Sequence, residues 1–351
     1  MKTKLCILFG GKSSEYEVSL RSAASVISHL NQDNYELSTV GVTRDGKWLR
    51  TYCGHENIAD GSWVSDSANR PCVVSPDSSH HGLLYSDGSI EKIDVIFPVV
   101  HGENCEDGVL QGLLKLSGIP FVGCGVAASA NTMDKSITKL FADRAGIRQA
   151  KSITVFASDF LSEKDKNTES TVSALDLPIF VKPARTGSSV GVSKVKKAED
   201  LSSAIEEAAR FDCKVILEEC IVGQEIECAV FGDAHGEVLT SVVGEIAPAG
   251  EFYSYSAKYD DEGSLLFIPA RISEEASAEV RKNAEKVFRC LECFGLSRVD
   301  FFLSKDGEVI FNEINSIPGF TSISMYPQLF EESGIPYSEL IDKLVSLAFK
   351  R

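Results

Sequence analysis

The residues with the clearest capacity for chemistry lie on two stretches of strand character joined at Asp306-Gly307. Asp-Gly favours a two-residue hairpin turn, and that turn sets Asp300 opposite Glu313 and Arg298 opposite Asn315. Side chains alternate across a strand, so Arg298, Asp300, Glu313 and Asn315 share one face of the ribbon, and Val299, Phe301, Ile310 and Ile314 share the other. Two carboxylates and an amide carbonyl then converge beside a guanidinium. Opposed carboxylates repel unless a cation separates them, and Mg2+ accepts such oxygens while leaving positions for phosphate. The competing reading of that face is a solvated Arg-carboxylate pair, and a longer loop would shift the register.

Other stretches carry weaker signals. Pro183 to Gly191 (PARTGSSVG) supplies small residues whose backbone N–H groups can hold phosphate oxygens. Its flanks read as strands, so a structural turn competes with a phosphate loop. Lys182, in an otherwise apolar strand, needs an anionic partner. Gly10-Gly11-Lys12-Ser13 resembles the end of a P-loop, but Cys6 stands where the first Gly is required, which leaves a tight β-α turn. Glu15 follows in the first helical turn, where the dipole keeps a carboxylate ionised and suited to an ammonium group, with simple capping as the alternative. Cys290 and Cys293 have metal-ligand spacing without a second pair, so packing inside a helix running from Glu274 to Cys293 accounts for them. His101, taken alone, is more often structural than catalytic.

These residues need a scaffold. Leu5 to Phe9 and Tyr35 to Val42 read as strands, Glu15 onward as a helix with Leu20, Ala24, Ile27 and Leu30 on one face, and Lys92 to Val100 as a third strand before the His101 loop. Strand-helix alternation predicts a parallel sheet with ligands beyond the carboxyl ends of its strands, where Glu15 and His101 fall. Residues 53 to 90 are polar and show no clear pattern. The expected organisation is an α/β domain over 1–124, a central block over 125–220 and an α+β block over 221–351. The 351 residues carry 35 Lys and Arg against 51 Asp and Glu, a net charge of -16 that argues against nucleic-acid binding. No apolar run suits a membrane, and ten scattered cysteines behind an N-terminus without a secretion signal point to the reducing cytoplasm.

Together the motifs resemble the D-alanyl-D-alanine ligase family of ATP-grasp enzymes, which includes the D-alanyl-D-serine ligases of vancomycin resistance. The carriers span nearly the whole chain: Gly10-Gly11 with Glu15 to Leu20, His101-Gly102 with Glu106-Asp107-Gly108, Met133-Asp134-Lys135, Lys182-Pro183 with Gly187-Ser188-Ser189, Ala257-Lys258-Tyr259, Arg298-Val299-Asp300, and Asn312 to Asn315 with Pro318 to Ser322. The resemblance implies a three-domain ATP-grasp fold, with an N-terminal parallel α/β domain binding the first amino acid and ATP held between the other two. It implies Lys135, Lys182 and Lys258 on the phosphates, Ser189 in the covering loop, and Glu218, Glu219, Ile221 and Glu225 around adenine and ribose. Asp300, Glu313 and Asn315 match the ligands of Mg2+ or Mn2+, two ions per site. Glu15 matches the residue on the first ammonium, linked through Ser188 to Tyr259; Arg298 and the Gly319 N–H match the oxyanion donors. Ser324 would hold the acceptor carboxylate, and His101 lies near the first substrate. A homodimer is also implied.

The chemistry implied is phosphorylation of one D-alanine carboxylate and attack on the acyl phosphate by a second amino acid, forming D-alanyl-D-alanine for peptidoglycan precursors. Gly250 to Gly263 reads as a lid that excludes water. Cys105 stands where relatives commonly have Gly, and Glu219 where some have Lys. Tyr16 and Ile317 to Phe320 lean toward D-serine as acceptor; Val190, the Ala257-Lys258-Tyr259 lid and Met325, read as an apolar wall, lean toward D-alanine, the expected acceptor. Another ATP-dependent carboxylate-amine ligase, or a two-lobed binding protein without catalysis, are the readings outside this class.

Overall fold

The first strand, β1 (Thr3–Gly10), is buried along most of its length because its apolar run faces covered layers on both sides. It lies parallel to β2 (Tyr35–Val42) and to β7 (Val95–Val100), as the strand-helix alternation requires. The computed structural model describes residues 2–247 and 265–351, so the expected lid with Lys258 and Tyr259 lies outside the described residues. The first sheet is not purely parallel. Residues 48–92 add β3 (Trp48–Thr51), β4 (Arg70–Val74), β5 (Gly82–Tyr85) and β6 (Ile90–Lys92) as an antiparallel extension, in the order β6-β5-β4-β3-β2-β1-β7. Ser and Asp turns between short strands hid this meander from a search for helical or strand periodicity. A short helix, α2 (His55–Ala59), sits within it.

Helix α1 (Tyr16–His29) crosses the first sheet, burying Val18, Leu20, Ala23 and Val26 together with Ser19 and Ser22. The other face of the sheet packs on α3 (Val109–Ser117) through Leu110 and Leu114. Beyond it come α4 (Val126–Met133) and α5 (Lys135–Arg144), the second capped by the Asp134 carboxylate, which accepts from the Ser136 and Ile137 N–H groups.

A four-stranded sheet, β10-β9-β11-β8, occupies the middle of the chain: β8 (Ser152–Phe156), β9 (Ile179–Pro183), β10 (Ser193–Val195) and β11 (Lys214–Glu219). It is covered by α6 (Ala157–Ser162), α7 (Lys164–Leu175) and α8 (Leu201–Ala208), whose Leu201, Ile205 and Ala208 fill its core with Val181 and Leu217.

The last sheet, β14-β13-β12-β15-β16, is antiparallel and joins β12 (Gly223–Asp233), β13 (Val238–Ala247), β14 (Leu265–Phe267), β15 (Phe294–Ser304) and β16 (Val309–Asn315). One face packs on α9 (Glu274–Cys290), whose spacing buries Val280, Ala284 and Val287. That helix ends before Cys293. Glu292 turns the chain at φ 56, and Cys293 is buried beyond the helix rather than inside it. Residues of α4 and α5, Ala128 and Ala142, pack into this same core, while α10 (Met325–Glu332) and α11 (Tyr337–Ala348) return to the first sheet and bury Tyr326, Leu340 and Leu344 against Leu5 and Ile7. The chain's ends thus clamp the first and last sheets together.

The β15-β16 hairpin departs from the expected turn in an instructive way. Ser304 N–H donates to the Glu308 carbonyl at 3.0 Å, closing a three-residue loop with Gly307 at φ 81. That loop is one residue longer than a two-residue turn and slips the pairing: Phe302 faces Ile310, and Phe301 faces Phe311 with ring centroids 5.8 Å apart. A bulge on β16 between the partners of Asp300 and Phe301 then restores the register, with Asp300 opposite Glu313 and Arg298 opposite Asn315. The four polar residues therefore share a face as expected, whereas Ile310 lies on that face and Phe311 takes its place in the core.

Candidate active site

On the polar face of the hairpin, Arg298 holds Asp300 with two parallel bonds, Nε to Oδ1 and one terminal nitrogen to Oδ2, both 2.7 Å. Its Nε also lies 3.0 Å from Glu227 Oε2, because β12 pairs Glu227 directly with Asp300. Burial opposes the guanidinium charge, and the carboxylates of Asp300, Glu227 and Glu313 outweigh it, holding Arg298 firmly charged. Asn315 Nδ2 donates to Asp300 Oδ2 at 3.0 Å. On the opposite strand, Glu313 Oε2 is 3.3 Å from Lys135 Nζ, at the start of α5. Each candidate carboxylate thus carries a protein cation beside it. Two carboxylates and an amide on one rigid ribbon form a hard-oxygen set that fits Mg2+ or Mn2+. Among the described residues, no group of three or more His, Cys, Asp and Glu is arranged to hold a metal ion, so this set consists of two carboxylates and one amide.

This ribbon forms one wall of a cleft between the middle and last sheets. Phe180, Ile221, Phe302 and Phe311 give it an apolar slot, and Ser189 and Glu225 line it as well. At its base the expectation for Lys182 is met: Nζ lies 2.5 Å from Glu218 Oε2, on the neighbouring strand. Lys139, one helical turn after Lys135, takes the other oxygen of Glu218 at 2.5 Å. Burial works against the Glu218 charge, and the two lysines overcome it, holding the carboxyl at about 2. Glu219 turns the other way and accepts the Lys151 N–H at 2.8 Å, leaving its backbone as the part available to a ligand.

The loop after β9 separates this cleft from the first sheet. Arg185 anchors its base by pairing with Asp212 at 2.6 Å, and the Thr186 carbonyl accepts from Lys135 Nζ at 2.7 Å. Ser188 and Ser189 both take left-handed backbone conformations, with φ of 50 and 58. That pose aims the Ser188 hydroxyl at Glu15, to whose Oε1 it donates a hydrogen bond. The other oxygen of Glu15 is closely bounded by Gly187 and Gly102, where an added Cβ would lie 3.0 and 2.8 Å from it. A second cleft of about 840 Å³ opens beyond this wall and is lined by Glu15, Lys12, Arg44, Asp107 and Arg185.

His101 is buried next to Glu15. Its Nδ1 donates to the Ile317 carbonyl at 3.0 Å, and its Nε2 lies 3.3 Å from Ser22 Oγ. Burial lowers its pKa against the opposing pull of Glu15, so the ring is neutral. Glu106 accepts from Gly102 N–H at 2.9 Å and from Ile317 N–H at 3.3 Å; burial and the nearby Glu15 push its carboxyl up to about 8. Cys105 packs its sulfur against Gly11, and burial raises its thiol to about 12, which makes it a closing contact rather than a nucleophile. Gly319 lies against Ser324, whose Oγ would be 2.9 Å from an added Cβ and which also accepts from Thr321 N–H at 3.0 Å.

Glu15, Ser188, His101 and the segment carrying Gly319 and Ser324 therefore meet on one side, and Lys135, Lys182, Ser189, Glu218, Ile221, Glu225, Asp300 and Glu313 on the other. Met325 is not brought to either cleft. Its side chain is buried in the core, where its Cε would lie 2.2 Å from an added Cβ on Gly244. It offers no wall to a substrate methyl because α10 turns that face inward. Sequence reasoning passed over Lys139, Glu227 and Ser22. The first two were findable, Lys139 from its four-residue spacing to Lys135 and Glu227 from strand pairing, whereas a serine among apolar helix residues carries no such mark.

Comparison with known proteins identifies the family. Residues 4–124 match the profile of the D-ala D-ala ligase N-terminus and residues 141–346 that of the D-ala D-ala ligase C-terminus. The chain is 48% identical to the D-alanine–D-alanine ligase of Caldicellulosiruptor bescii and 45% identical to that of Oceanobacillus iheyensis, each alignment covering 100% of this chain and 96% of the relative. Among solved structures it is similar to the VanG D-Ala:D-Ser ligase from Enterococcus faecalis, at 40% identity and a TM-score of 0.90 over 99% of this chain and 100% of that one. It is also similar to the D-alanine-D-alanine ligase from Coxiella burnetii, at 32% identity and a TM-score of 0.83 over 100% and 96%. With two family profiles across its length and relatives near half identity from end to end, this chain belongs to the D-alanine–D-alanine ligase family.

Proposed function

We propose that the protein joins two D-amino acids at the expense of ATP, releasing ADP and phosphate, and that its principal product is D-alanyl-D-alanine. The observation that carries this reading is the bond from Ser188 to Glu15: a loop bordering the nucleotide cleft reaches directly onto a carboxylate suited to an amino-acid ammonium. A binding protein would have no reason to couple the two.

In this reading the first D-alanine places its ammonium on Glu15, and its carboxylate oxygen attacks the γ-phosphorus of ATP, so that the bond to ADP breaks as the acyl phosphate forms. Lys135 and Lys182 neutralise the phosphates, with Lys258 of the lid as a third cation. Asp300, Glu313 and Asn315 would hold Mg2+ or Mn2+, two ions per site, which would screen the phosphate oxygens and withdraw charge from the γ-phosphoryl group. Ser189 covers the phosphates, and the Glu218 to Glu225 stretch receives adenine and ribose. Tyr259 completes the chain from Glu15 through Ser188. The neutral amine of the second amino acid, its carboxylate at Ser324, then attacks the acyl carbon. Arg298 and the Gly319 N–H stabilise the oxyanion, the C–O bond to phosphate breaks as the carbonyl re-forms, and the extra proton on the new amide nitrogen passes to the departing phosphate.

D-serine is the alternative acceptor, in view of the likeness to the VanG D-Ala:D-Ser ligase. Ten free cysteines suit a reducing compartment, and we take the cytoplasm as the place of action; no described helix is long and apolar enough to cross a membrane. A homodimer is the assembly the family resemblance supports. The direct test is purified protein with ATP, Mg2+ and D-alanine: ADP release with D-alanyl-D-alanine by mass spectrometry is expected, and the absence of ADP release would overturn the reading.

A further inference from the structure

We propose that Ser22 is a positioning residue that aims the Gly319 N–H at the oxyanion of the ligation transition state; the inference rests on the role given to Gly319 above. Ser22 is fully buried on α1, on the same side of the helix as Glu15 and Ser19. Its Oγ accepts the Phe320 N–H at 3.2 Å and lies 3.3 Å from His101 Nε2. The proton order follows from chemistry. The Ile317 carbonyl can only accept, so His101 carries its proton on Nδ1, and Nε2 accepts from the Ser22 hydroxyl. The hydroxyl is thereby oriented with a lone pair toward Phe320.

The four residues Ile317 to Phe320 are held from both ends. Ile317 N–H goes to Glu106 and its carbonyl to His101; Phe320 N–H goes to Ser22, and its carbonyl accepts from Tyr337 Oη at 2.5 Å. Pro318 has no N–H. Among the described residues the Gly319 N–H has no hydrogen-bond partner, so the segment presents one donor, fixed on each side, beside Ser324. Loss of the Ser22 bond frees the peptide plane that follows Gly319 and lets its N–H drift from the position the oxyanion will occupy.

The test compares Ser22→Ala with wild type in kcat, in KM for ATP and D-alanine, and in affinity for a phosphinate dipeptide that mimics the tetrahedral adduct. A displaced donor is expected to lower kcat and phosphinate affinity by about tenfold each, while KM for ATP stays within about twofold. Ser22→Cys, which keeps a weak donor and acceptor, should recover part of both losses. His101→Asn keeps a donor for the Ile317 carbonyl but removes the acceptor for the Ser22 hydroxyl, and should shift the same two quantities. Unchanged kcat and phosphinate affinity in Ser22→Ala overturns the inference. So does a loss shared equally with ATP, which would mark a structural role. If Ser22→Ala does not fold, Ser22→Cys is judged by the same comparison, selective loss supporting the inference and unselective loss or none defeating it. Wild type that releases no ADP with D-alanine defeats the proposed function instead.

Discussion

Ser188 and Glu15, 173 positions apart in the chain, are joined by a hydrogen bond from the serine hydroxyl to the glutamate Oε1. The bond exists only because two glycines let the chain approach: Gly187 brings the loop, and Gly102 brings the His101 turn, against the other carboxylate oxygen. From Ser188 the contacts continue through Thr186 to Lys135 and on to Glu313. One loop thus links the Glu15 carboxylate to the Asp300-Glu313 ribbon.

Glu15→Gln removes the charge from this junction while keeping an oxygen to accept from Ser188. A charge-assisted bond to an ammonium is worth about 1.5 to 3 kcal/mol, so KM for the first D-alanine should rise by about tenfold or more. KM for ATP should change little, because Glu15 lies outside the nucleotide cleft. Steady-state kinetics with each substrate varied in turn decides it; a rise confined to ATP would place Glu15 elsewhere in the reaction.

The pair of lysines on Glu218 makes a different expectation. Lys139→Met leaves a buried carboxylate with one cation in place of two, which should cost about 1 to 3 kcal/mol of stability and raise KM for ATP as Lys182 is drawn onto Glu218. The sign with pH follows from Glu218 being held at about 2 against an ordinary 4.5. Its stabilising contribution is full above 4.5 and lost as pH falls toward 2, so the gap between variant and wild type should narrow on acidification. Urea unfolding at pH 7 and pH 4 measures both. Adding Glu218→Gln to Lys139→Met should return part of the lost stability, since the unpaired charge goes with it.

Much of this site could be read from residue order. The Asp300-Glu313 pairing was legible from strand patterning, although two irregularities had to cancel for it to hold: the extra residue in the Asp306-Gly307 loop and the bulge at Asn312, between Phe311 and Glu313. Lys182 betrayed a buried partner because a charge inside an apolar strand demands one. The meander over 48–92 was not legible, since its strands are three to five residues long and most of their pattern is turn chemistry. Met325 misled because its neighbour Ser324 points to the loop while helix geometry turns Met325 into the core. Ser22 was invisible for the same reason in reverse: one face of α1 carries apolar residues at helical spacing, and nothing in that spacing says that Ser19 and Ser22 bind backbone groups of other elements.

Glu313→Gln changes one oxygen to an amide nitrogen with almost no change in shape, so the fold should survive. Turnover should fall by about a hundredfold or more if Glu313 holds the metal, since phosphoryl transfer loses charge neutralisation at its centre. Binding of Mn2+ with a non-hydrolysable ATP analogue, followed by electron paramagnetic resonance, should weaken in parallel. Circular dichroism checks the fold, and near-normal activity at limiting Mg2+ would remove the metal assignment.

Acceptor choice should depend on pH in a defined direction. With Met325 in the core, the proposed preference for D-alanine would follow if the serine hydroxyl found no partner at the acceptor site, since a hydroxyl buried unpaired costs about 1 to 3 kcal/mol, or about tenfold in selectivity. Only the neutral amine attacks the acyl phosphate. The hydroxyl of D-serine withdraws electrons and lowers the pKa of its ammonium, so D-serine has the larger neutral fraction at low pH. Raising pH brings D-alanine's amine into play and should increase its share of a mixed reaction. Mass spectrometry of products from ATP with equimolar D-alanine and D-serine, between pH 6 and 9, should show D-alanyl-D-alanine as the main product near neutrality and rising with pH. If D-alanyl-D-serine dominates throughout, a residue near Ser324 binds the hydroxyl, and the acceptor assignment passes to D-serine.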